Sequence, residues 1–387
     1  MSITQEPIGT TNDAGTPREQ DAVRLIDTDV HHTWRNEAEL LGYLSSEWKD
    51  YVYGDGRRAP LSIHPERGTS YMLQGALRLE AYPEDGSTPG SDYELMREQL
   101  LDVNRPEAAV LTFGVGQQSG LLDPYFAAAL CRAANDWNLD HWLSHPDDRL
   151  CGLILVPPEL PEEAAKEIRR CAGRPRTAGV LLVANNLGKP LGHPVFHPIF
   201  AAAAECDLPI VVHVGGEAHL KGIESAGGTG GGMIERYELL HQPAMHYVTS
   251  MVTHGLFETF PSMRVMFLEF GFLWLPPLMW RLDSLYKVLR AERPAIKRLP
   301  SETIAEHMKF SIQPLDYVPR QKDAVEAVRA SAELRSMLCF SSDYPHWDAD
   351  EPKYVASHLP REWKDQVMYD NAKSFYGARV GAGAASS

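Results

Sequence analysis

The sequence predicts an α/β protein built as a (β/α)8 TIM barrel with an insertion after its first strand. Three observations carry that expectation. Short apolar runs alternate with helix-period segments eight times along the chain. Four of those runs end in residues able to bind a metal: Asp29 and His31 close the first, and His213, Glu269 and Asp343 follow Ile210-Val211-Val212, Val265-Met266-Phe267-Leu268 and Met337-Leu338-Cys339-Phe340. The length of 387 residues, 44% of them hydrophobic, exceeds the roughly 250 that such a barrel commonly occupies.

Residues 23–30 read as the first strand, and the polar, Thr/Pro-rich residues 1–22 before them as a disordered tail without the apolar core of a signal peptide. Residues 35–106 form the insertion. It holds an aromatic start (Trp34, Tyr43, Trp48, Tyr51, Tyr53), an exposed Arg57-Arg58 pair and a helix opened by Ser91 or Asp92. The alternation then becomes regular. Strands are expected at 108–112, 150–156, 178–183, 209–213, 264–269, 309–312 and 337–342. Helices are expected from Asp123-Pro124, at 161–171, 195–206, 233–260, 276–289 and 324–332, and at the end through Asn371–Gly377. The Gly-rich residues 214–232 fit neither G-x-G-x-x-G nor a P-loop and read as a loop. The barrel domain therefore spans 23–378, and 379–387 form a second tail.

Composition narrows the function. A formal charge of −15 and a pI near 5.5 exclude a nucleic-acid or anionic-membrane surface and favour a cytoplasmic protein. The five cysteines (Cys131, Cys151, Cys171, Cys206, Cys339) are scattered without a C-x-x-C, which suits a reducing compartment and supplies no thiolate metal knuckle.

A barrel of this kind carries its active site at the C-terminal ends of the strands. That edge gathers Asp29 and His31, which alternation places on one face of the first strand, with His213, Glu269 and Asp343. A carboxylate–imidazole set of this size is a divalent-metal site.

These segments resemble the amidohydrolase superfamily, in the branch that contains the aminocarboxymuconate-semialdehyde and resorcylate decarboxylases. The resemblance rests on Asp29-Val30-His31, Leu208–His213, Gly255–Pro261, Glu269-Phe270-Gly271, Trp280–Asp283 and Ser341–His346. It departs from that branch in two ligands, since Asp29 stands where a histidine often opens the motif and Glu269 where the sixth strand commonly has histidine. The fourth strand has no lysine to become the carboxylated bridge of binuclear hydrolases. Three carboxylates and two imidazoles shift the metal preference from Zn2+ towards iron or Mn2+.

On the long helix after the fifth strand, Glu238 and His241 have the i, i+3 spacing of carboxylate-bridged di-iron bundles. His241 is therefore a candidate ligand or acid/base residue beside Asp343, the candidate base. His246 and His254 read as packing or surface residues, His346 as a neighbour of Asp343, and His32 as turned away from the ligands. The Asp29-x-His31-His32 opening and Glu269 look most like a small group of non-heme di-iron monooxygenases of diterpenoid biosynthesis that share this barrel. That resemblance implies Fe2+, one or two per chain, with Mn2+ or Zn2+ as alternatives. It further implies O2, an external reductase or ferredoxin, and a hydrophobic, terpenoid or CoA-linked substrate of secondary metabolism. The aromatic insertion and the Gly-rich loop would form its lid. The alternative is a metal-dependent hydrolase or non-oxidative decarboxylase, and the third reading a non-catalytic barrel. A homo-oligomer is compatible with all three.

Overall fold

The computed structural model describes residues 24–53, 77–114, 123–183, 188–215, 233–315 and 332–381. Eight strands lie in one sheet in sequence order, each parallel to the next: β1 (Ile26–His32), β2 (Ala108–Phe113), β3 (Leu150–Leu155), β4 (Thr177–Leu182), β5 (Ile210–His213), β6 (Val265–Leu268), β7 (Met308–Ser311) and β8 (Leu338–Cys339). The ring closes where the chain after β8 returns to β1. There Val30 bridges Tyr344 in parallel, and the Thr28 N–H donates to Phe340 O at 3.2 Å. This is the expected TIM barrel.

The insertion after β1 contributes α1 (Glu37–Leu41), α2 (Ser46–Tyr53) and α3 (Tyr93–Met96), the last continued by a π-helical turn at Arg97–Leu101. Then follow α4 (Pro124–His141), α5 (Pro161–Cys171), α6 (His197–Glu205), α7 (Met233–Leu239), α8 (His241–Thr253), α9 (Leu256–Thr259), α10 (Leu275–Leu289), α11 (Pro300–His307), α12 (Ala332–Met337), α13 (Pro352–His358) and α14 (Asn371–Tyr376). Local chemistry sets their starts. The Asp123 carboxylate accepts the Tyr125 and Phe126 N–H groups at the head of α4, and Asp92 accepts from Leu95 N–H at the head of α3. α5 begins at Pro161 with Glu162 and Glu163 in its first turn and Arg169 and Arg170 in its last, matching the helix dipole at both ends.

Strand alternation sorts the core. On β5 and β6, Ile210, Val212, Val265 and Phe267 join one apolar cluster with Phe200 and Ala203 of α6 and Val248 of α8, whereas Val211, Met266 and Leu268 belong to another with Cys339 and Tyr376. The Tyr376 hydroxyl donates to Met266 Sδ at 3.7 Å, so α14 seals the interior beneath the strand ends. The insertion docks on the end of β1 through Gly90. Its φ is +83°, and a Cβ there would lie 2.7 Å from His31 O, so only glycine fits the turn.

The structure differs from the sequence reading in two elements that matter to the site. β8 was expected over 337–342 and has two residues, because Phe340–Ser342 leave the ladder to bind elsewhere. The Phe340 N–H donates to Val367 O at 2.9 Å and the Ser342 N–H to Asp27 Oδ1 at 2.8 Å. The single helix expected over 233–260 is three helices, α7, α8 and α9, divided at Leu240, three residues before Pro243, and at Gly255, whose φ is +71°. The Arg57-Arg58 pair, residues 216–232 of the Gly-rich loop, most of the helix expected at 324–332, and residues 1–22 and 382–387 of the tails lie outside the described residues. Among the described residues no helix is long and apolar enough to cross a membrane.

Candidate metal centre

Asp29, His31, His213, Glu269 and Asp343 converge at the C-terminal mouth of the barrel, all of them buried. β5 delivers His213 on the same face as Val211, two residues earlier, as alternation requires. Glu269 breaks that rule. By parity it would follow Val265 and Phe267 out into the helix layer, but its φ of +65° turns it back towards the axis, and its Oε2 stands 3.3 Å from His213 Nε2. Asp343 has the same left-handed backbone, with φ +59°. Positive φ at two bulky acidic residues is strain concentrated at a site. Hydrogen bonds hold it in place: Glu269 N–H donates to Ser311 Oγ at 3.0 Å, and Asp343 N–H to Asp29 O at 3.0 Å.

The donor atoms are close. His213 Nε2 is 3.2 Å from Asp29 Oδ2, and His31 Nε2 is 3.7 Å from Asp29 Oδ1 and 2.9 Å from Asp343 Oδ1. Asp29, His31 and His213 form one group whose donor atoms all lie within 4.8 Å of one another, and His31, Asp343 and His346 form a second. Because the two groups share His31, they are two sides of one centre.

Two features show that this centre is built for a cation. His213 Nδ1–H donates to Val214 O at 2.5 Å, which turns Nε2 between the carboxylates of Asp29 and Glu269. A lone pair facing two anions is repulsive, so that position takes a proton or a metal ion. Burial alone would lower His213, but Asp29 outweighs it and raises the imidazole to about 10. His31 Nε2 is the second feature. It is buried and makes no well-formed hydrogen bond despite the proximity of Asp343, and burial pushes its pKa well down. Burial thus disfavours its charged form and leaves Nε2 available to a metal ion. Around it, burial works against the Asp29 charge, yet His213 and His31 hold that carboxylate at about 2. Burial raises Glu269 and Asp343 well above the carboxylate range, with Asp343 and Asp29 respectively adding repulsion.

Sequence reasoning missed the residues that fix these groups. Thr112, at the end of β2, donates its hydroxyl to Asp29 Oδ1 and lies 3.1 Å from His31 Nδ1. Gln313 Nε2, after β7, donates to Asp343 Oδ2 at 3.0 Å. Both stand at strand C-termini, which is the signal that could have found them. His346, read as a neighbour of Asp343, has its Nδ1 2.5 Å from Asp343 Oδ1. His32 does turn away: its ring nitrogens lie 2.9 Å from Thr112 O and 2.9 Å from Asn138 Oδ1, and its ring stacks on Trp137.

A cavity of about 210 Å³ opens beside the centre, with Glu269, His241, Glu238, Tyr237, Phe270 and Trp274 among its walls. His241 and Glu238 thus reach the same cavity as Glu269. The groups with metal-ligand spacing among the described residues are Asp29, His31 and His213 and His31, Asp343 and His346, and His241 stands across the cavity wall from them.

The family described as amidohydrolase matches residues 26–378. No curated protein matches the chain. Among solved structures, the chain is similar to 5-carboxyvanillate decarboxylase from Novosphingobium aromaticivorans, complexed with manganese and 4-hydroxy-3-methoxy-5-nitrobenzoic acid, at 20% identity over 95% of this chain and 99% of that one, with a TM-score of 0.66. It is similar to an amidohydrolase from Mycobacterium avium subsp. paratuberculosis at 19% identity over 92% and 99%, with a TM-score of 0.65. A 2,6-dihydroxybenzoate decarboxylase from Rhizobium matches at 19% identity over 74% and 89%, with a TM-score of 0.60.

These findings overturn the monooxygenase expectation and favour its alternative. The family is that of amidohydrolases and the structural neighbours are decarboxylases and amidohydrolases, so the oxidoreductase assignment, O2, the external electron donor and the terpenoid or CoA-linked substrate of secondary metabolism are withdrawn. The physical reason is that a ring of carboxylates and imidazoles binds a cation without specifying the reaction it serves, so the surplus of carboxylates does not select oxygen chemistry. A metal cofactor stands, and manganese accompanies the neighbours; iron has no such support.

Proposed function

Because the chain belongs to the amidohydrolase family, we propose that it is a metal-dependent, non-oxidative decarboxylase of a small aromatic carboxylic acid. One observation carries the reading: Glu269, from the carboxylate-rich centre it forms with Asp29, His31, His213 and Asp343, lines a cavity of about 210 Å³. That volume lies below the range of about 300–1,000 Å³ typical of drug-sized ligands, and Phe270 and Trp274 among its walls suit a single ring. The decarboxylation of 5-carboxyvanillate and 2,6-dihydroxybenzoate by proteins of this fold supports the same substrate class. β4, with the sequence Thr177-Ala178-Gly179-Val180-Leu181-Leu182, offers no lysine for the bridge of a binuclear hydrolase.

Asp29, His31, His213 and Asp343 would hold one divalent ion, with Glu269 completing the set, and oxygen-rich ligation suits Mn2+. Bound there, the ion supplies Lewis-acid polarisation of the substrate's oxygen atoms. The chain's own groups supply the proton. Breaking the ring–carboxylate bond releases CO2 and leaves an electron pair on the ring carbon, which must be protonated. His346, whose Nδ1 lies 2.5 Å from Asp343 Oδ1, is placed beside the centre to deliver the proton, with Asp343 itself ionised as a ligand. His241 contacts the substrate from the cavity wall. The net change is the replacement of CO2 by a proton, so neither an oxidant nor a reductant is needed.

The test supplies Mn2+ to the chelator-treated chain under anaerobic conditions with a series of hydroxybenzoic acids in D2O. CO2 release and one deuterium at the vacated ring carbon are expected, with both lost after chelation and in the His241→Ala variant. A strict requirement for O2, or turnover confined to amides or lactones, would remove the decarboxylase assignment.

A further inference from the structure

A second cavity, of about 290 Å³, lies on the opposite side of β1 from the metal centre. Its walls are Trp137 and Trp142 from the end of α4 and just beyond it, and Tyr93 at the head of α3. The indoles are buried: Trp137 stacks on His32 and on His141, with ring centroids 5.5 Å and 5.8 Å away, and Trp142 meets His32 in a T-shaped contact at 5.4 Å. Tyr93 is braced by the His145 ring at 3.7 Å and by its hydroxyl, which donates to Asp147 Oδ2 at 2.7 Å. Trp142 and Tyr93 thus line the space with rigid rings, beside Trp137 and the imidazoles of His141 and His145.

The charge inside is negative. Glu39 of α1 accepts the Trp137 Nε1–H at 3.0 Å on one oxygen and the Arg35 backbone N–H at 2.8 Å on the other. A carboxylate has about four acceptor positions, so these two bonds fix its orientation and leave capacity towards the cavity. The His141 imidazole also lines the cavity, with its Nδ1 3.7 Å from Glu39 Oε1, beyond a hydrogen bond. Arg35 also reaches the cavity, but its side chain is 55% exposed and directed at Asp92, against 23% exposure for Glu39. The guanidinium is at the rim and the carboxylate is within.

We infer that this cavity binds an organic ammonium ion, with the charged nitrogen on Glu39 and its carbon body against Trp142 and Tyr93. Indole and phenol faces attract cations through their quadrupoles, most strongly where water is excluded. A carboxylate held by two neutral donors adds a charge-assisted hydrogen bond. The formal charge of −15 on the chain raises the local concentration of any cation. The volume accommodates a ligand of one ring or a short alkyl chain. The site is independent of the metal reading, because none of its walls belongs to the centre.

The experiment titrates phenethylammonium chloride into 5-fluorotryptophan-labelled protein and follows the 19F resonances of Trp137 and Trp142, identified with Trp137→Phe and Trp142→Phe. Saturable shifts of both resonances at one ligand per chain are expected. Affinity should fall about ten-fold or more in Glu39→Gln and rise in Arg35→Ala, with near-UV circular dichroism confirming the fold of each variant. Benzoate is the opposing probe. Tighter binding of benzoate than of phenethylammonium, or binding lost in Arg35→Ala and kept in Glu39→Gln, would overturn the assignment, as would the absence of any shift at these two indoles.

Discussion

At the scale of single residues, the ligands were legible and their supports were not. Asp29, His31 and His213 each end an apolar run, so alternation alone places them at the barrel mouth. Thr112 ends such a run too, but a threonine at a strand end is ordinary, and only the fold brings it to Asp29 and His31. Its role can be checked with Thr112→Val, which keeps the shape and removes the hydroxyl. Mn2+ affinity should fall by about 10–100-fold, as for other groups that orient ligands, while the melting temperature of the metal-free protein changes little; unchanged affinity would make Thr112 a packing residue. His32 permits a second test. Burial lowers it from the ordinary 6.5 to about 4, so the unfolded chain takes up a proton near pH 6.5 that the folded chain refuses until about pH 4. Stability is therefore lost as pH falls through that window, by on the order of 3 kcal/mol from this residue. Urea unfolding from pH 7 to 4 should show that decline in the wild type and a shallower one in His32→Gln, which gives up ring packing at every pH but cannot titrate.

At the scale of elements, the parallel strands and the starts of α3, α4 and α5 follow from local signals. An apolar run, an Asp cap and a first-turn proline each act within a few residues. What local signals could not show was the fate of chain segments whose partners are distant in sequence. β8 ends early because Asp27 and Val367 claim the backbone of Ser342 and Phe340, and Glu269 leaves its parity through a left-handed backbone that no alternation rule anticipates. The same holds for Gly192, ahead of α6. A Cβ there would lie 2.3 Å from the Ser250 carbonyl atoms and 2.4 Å from Met251 N on α8. Its own N–H donates to Ser250 Oγ at 3.0 Å, and His254 Nδ1 lies 3.0 Å from its carbonyl. The clash is with backbone, which cannot rotate aside. Gly192→Ala should therefore destabilise the fold by about 3 kcal/mol, at the upper end of overpacking costs, measured by chemical denaturation. A loss under about 1 kcal/mol would mean that the loop before α6 yields without disturbing α8.

At the scale of the whole molecule, the barrel was readable because eight repeats of one pattern leave little freedom, whereas the reaction was not. A ring of carboxylates and imidazoles states that a cation belongs there, and the same ring serves oxygen activation and redox-neutral chemistry alike. The excess of carboxylates that pointed from Zn2+ towards iron or Mn2+ has a further consequence, which is proton linkage. Without metal, Asp29 holds His213 protonated up to about pH 10, against the effect of burial, and burial with like-charge repulsion keeps protons on Glu269 and Asp343 far above the carboxylate range. An ion entering the centre must displace those protons, so metal affinity rises with pH, by about ten-fold per unit for each proton released. Binding to the folded chain alone also stabilises it, by about 2.7 kcal/mol when Mn2+ is at 100 times its dissociation constant. Calorimetric titration of Mn2+ between pH 6 and 8, in two buffers of different ionisation enthalpy, should therefore show proton release, rising affinity and a higher melting temperature that chelation reverses. His213→Ala and Asp29→Asn should each lose most of that response. A melting temperature indifferent to Mn2+, or an affinity flat across these pH values, would mean that the five converging side chains hold protons among themselves and no ion.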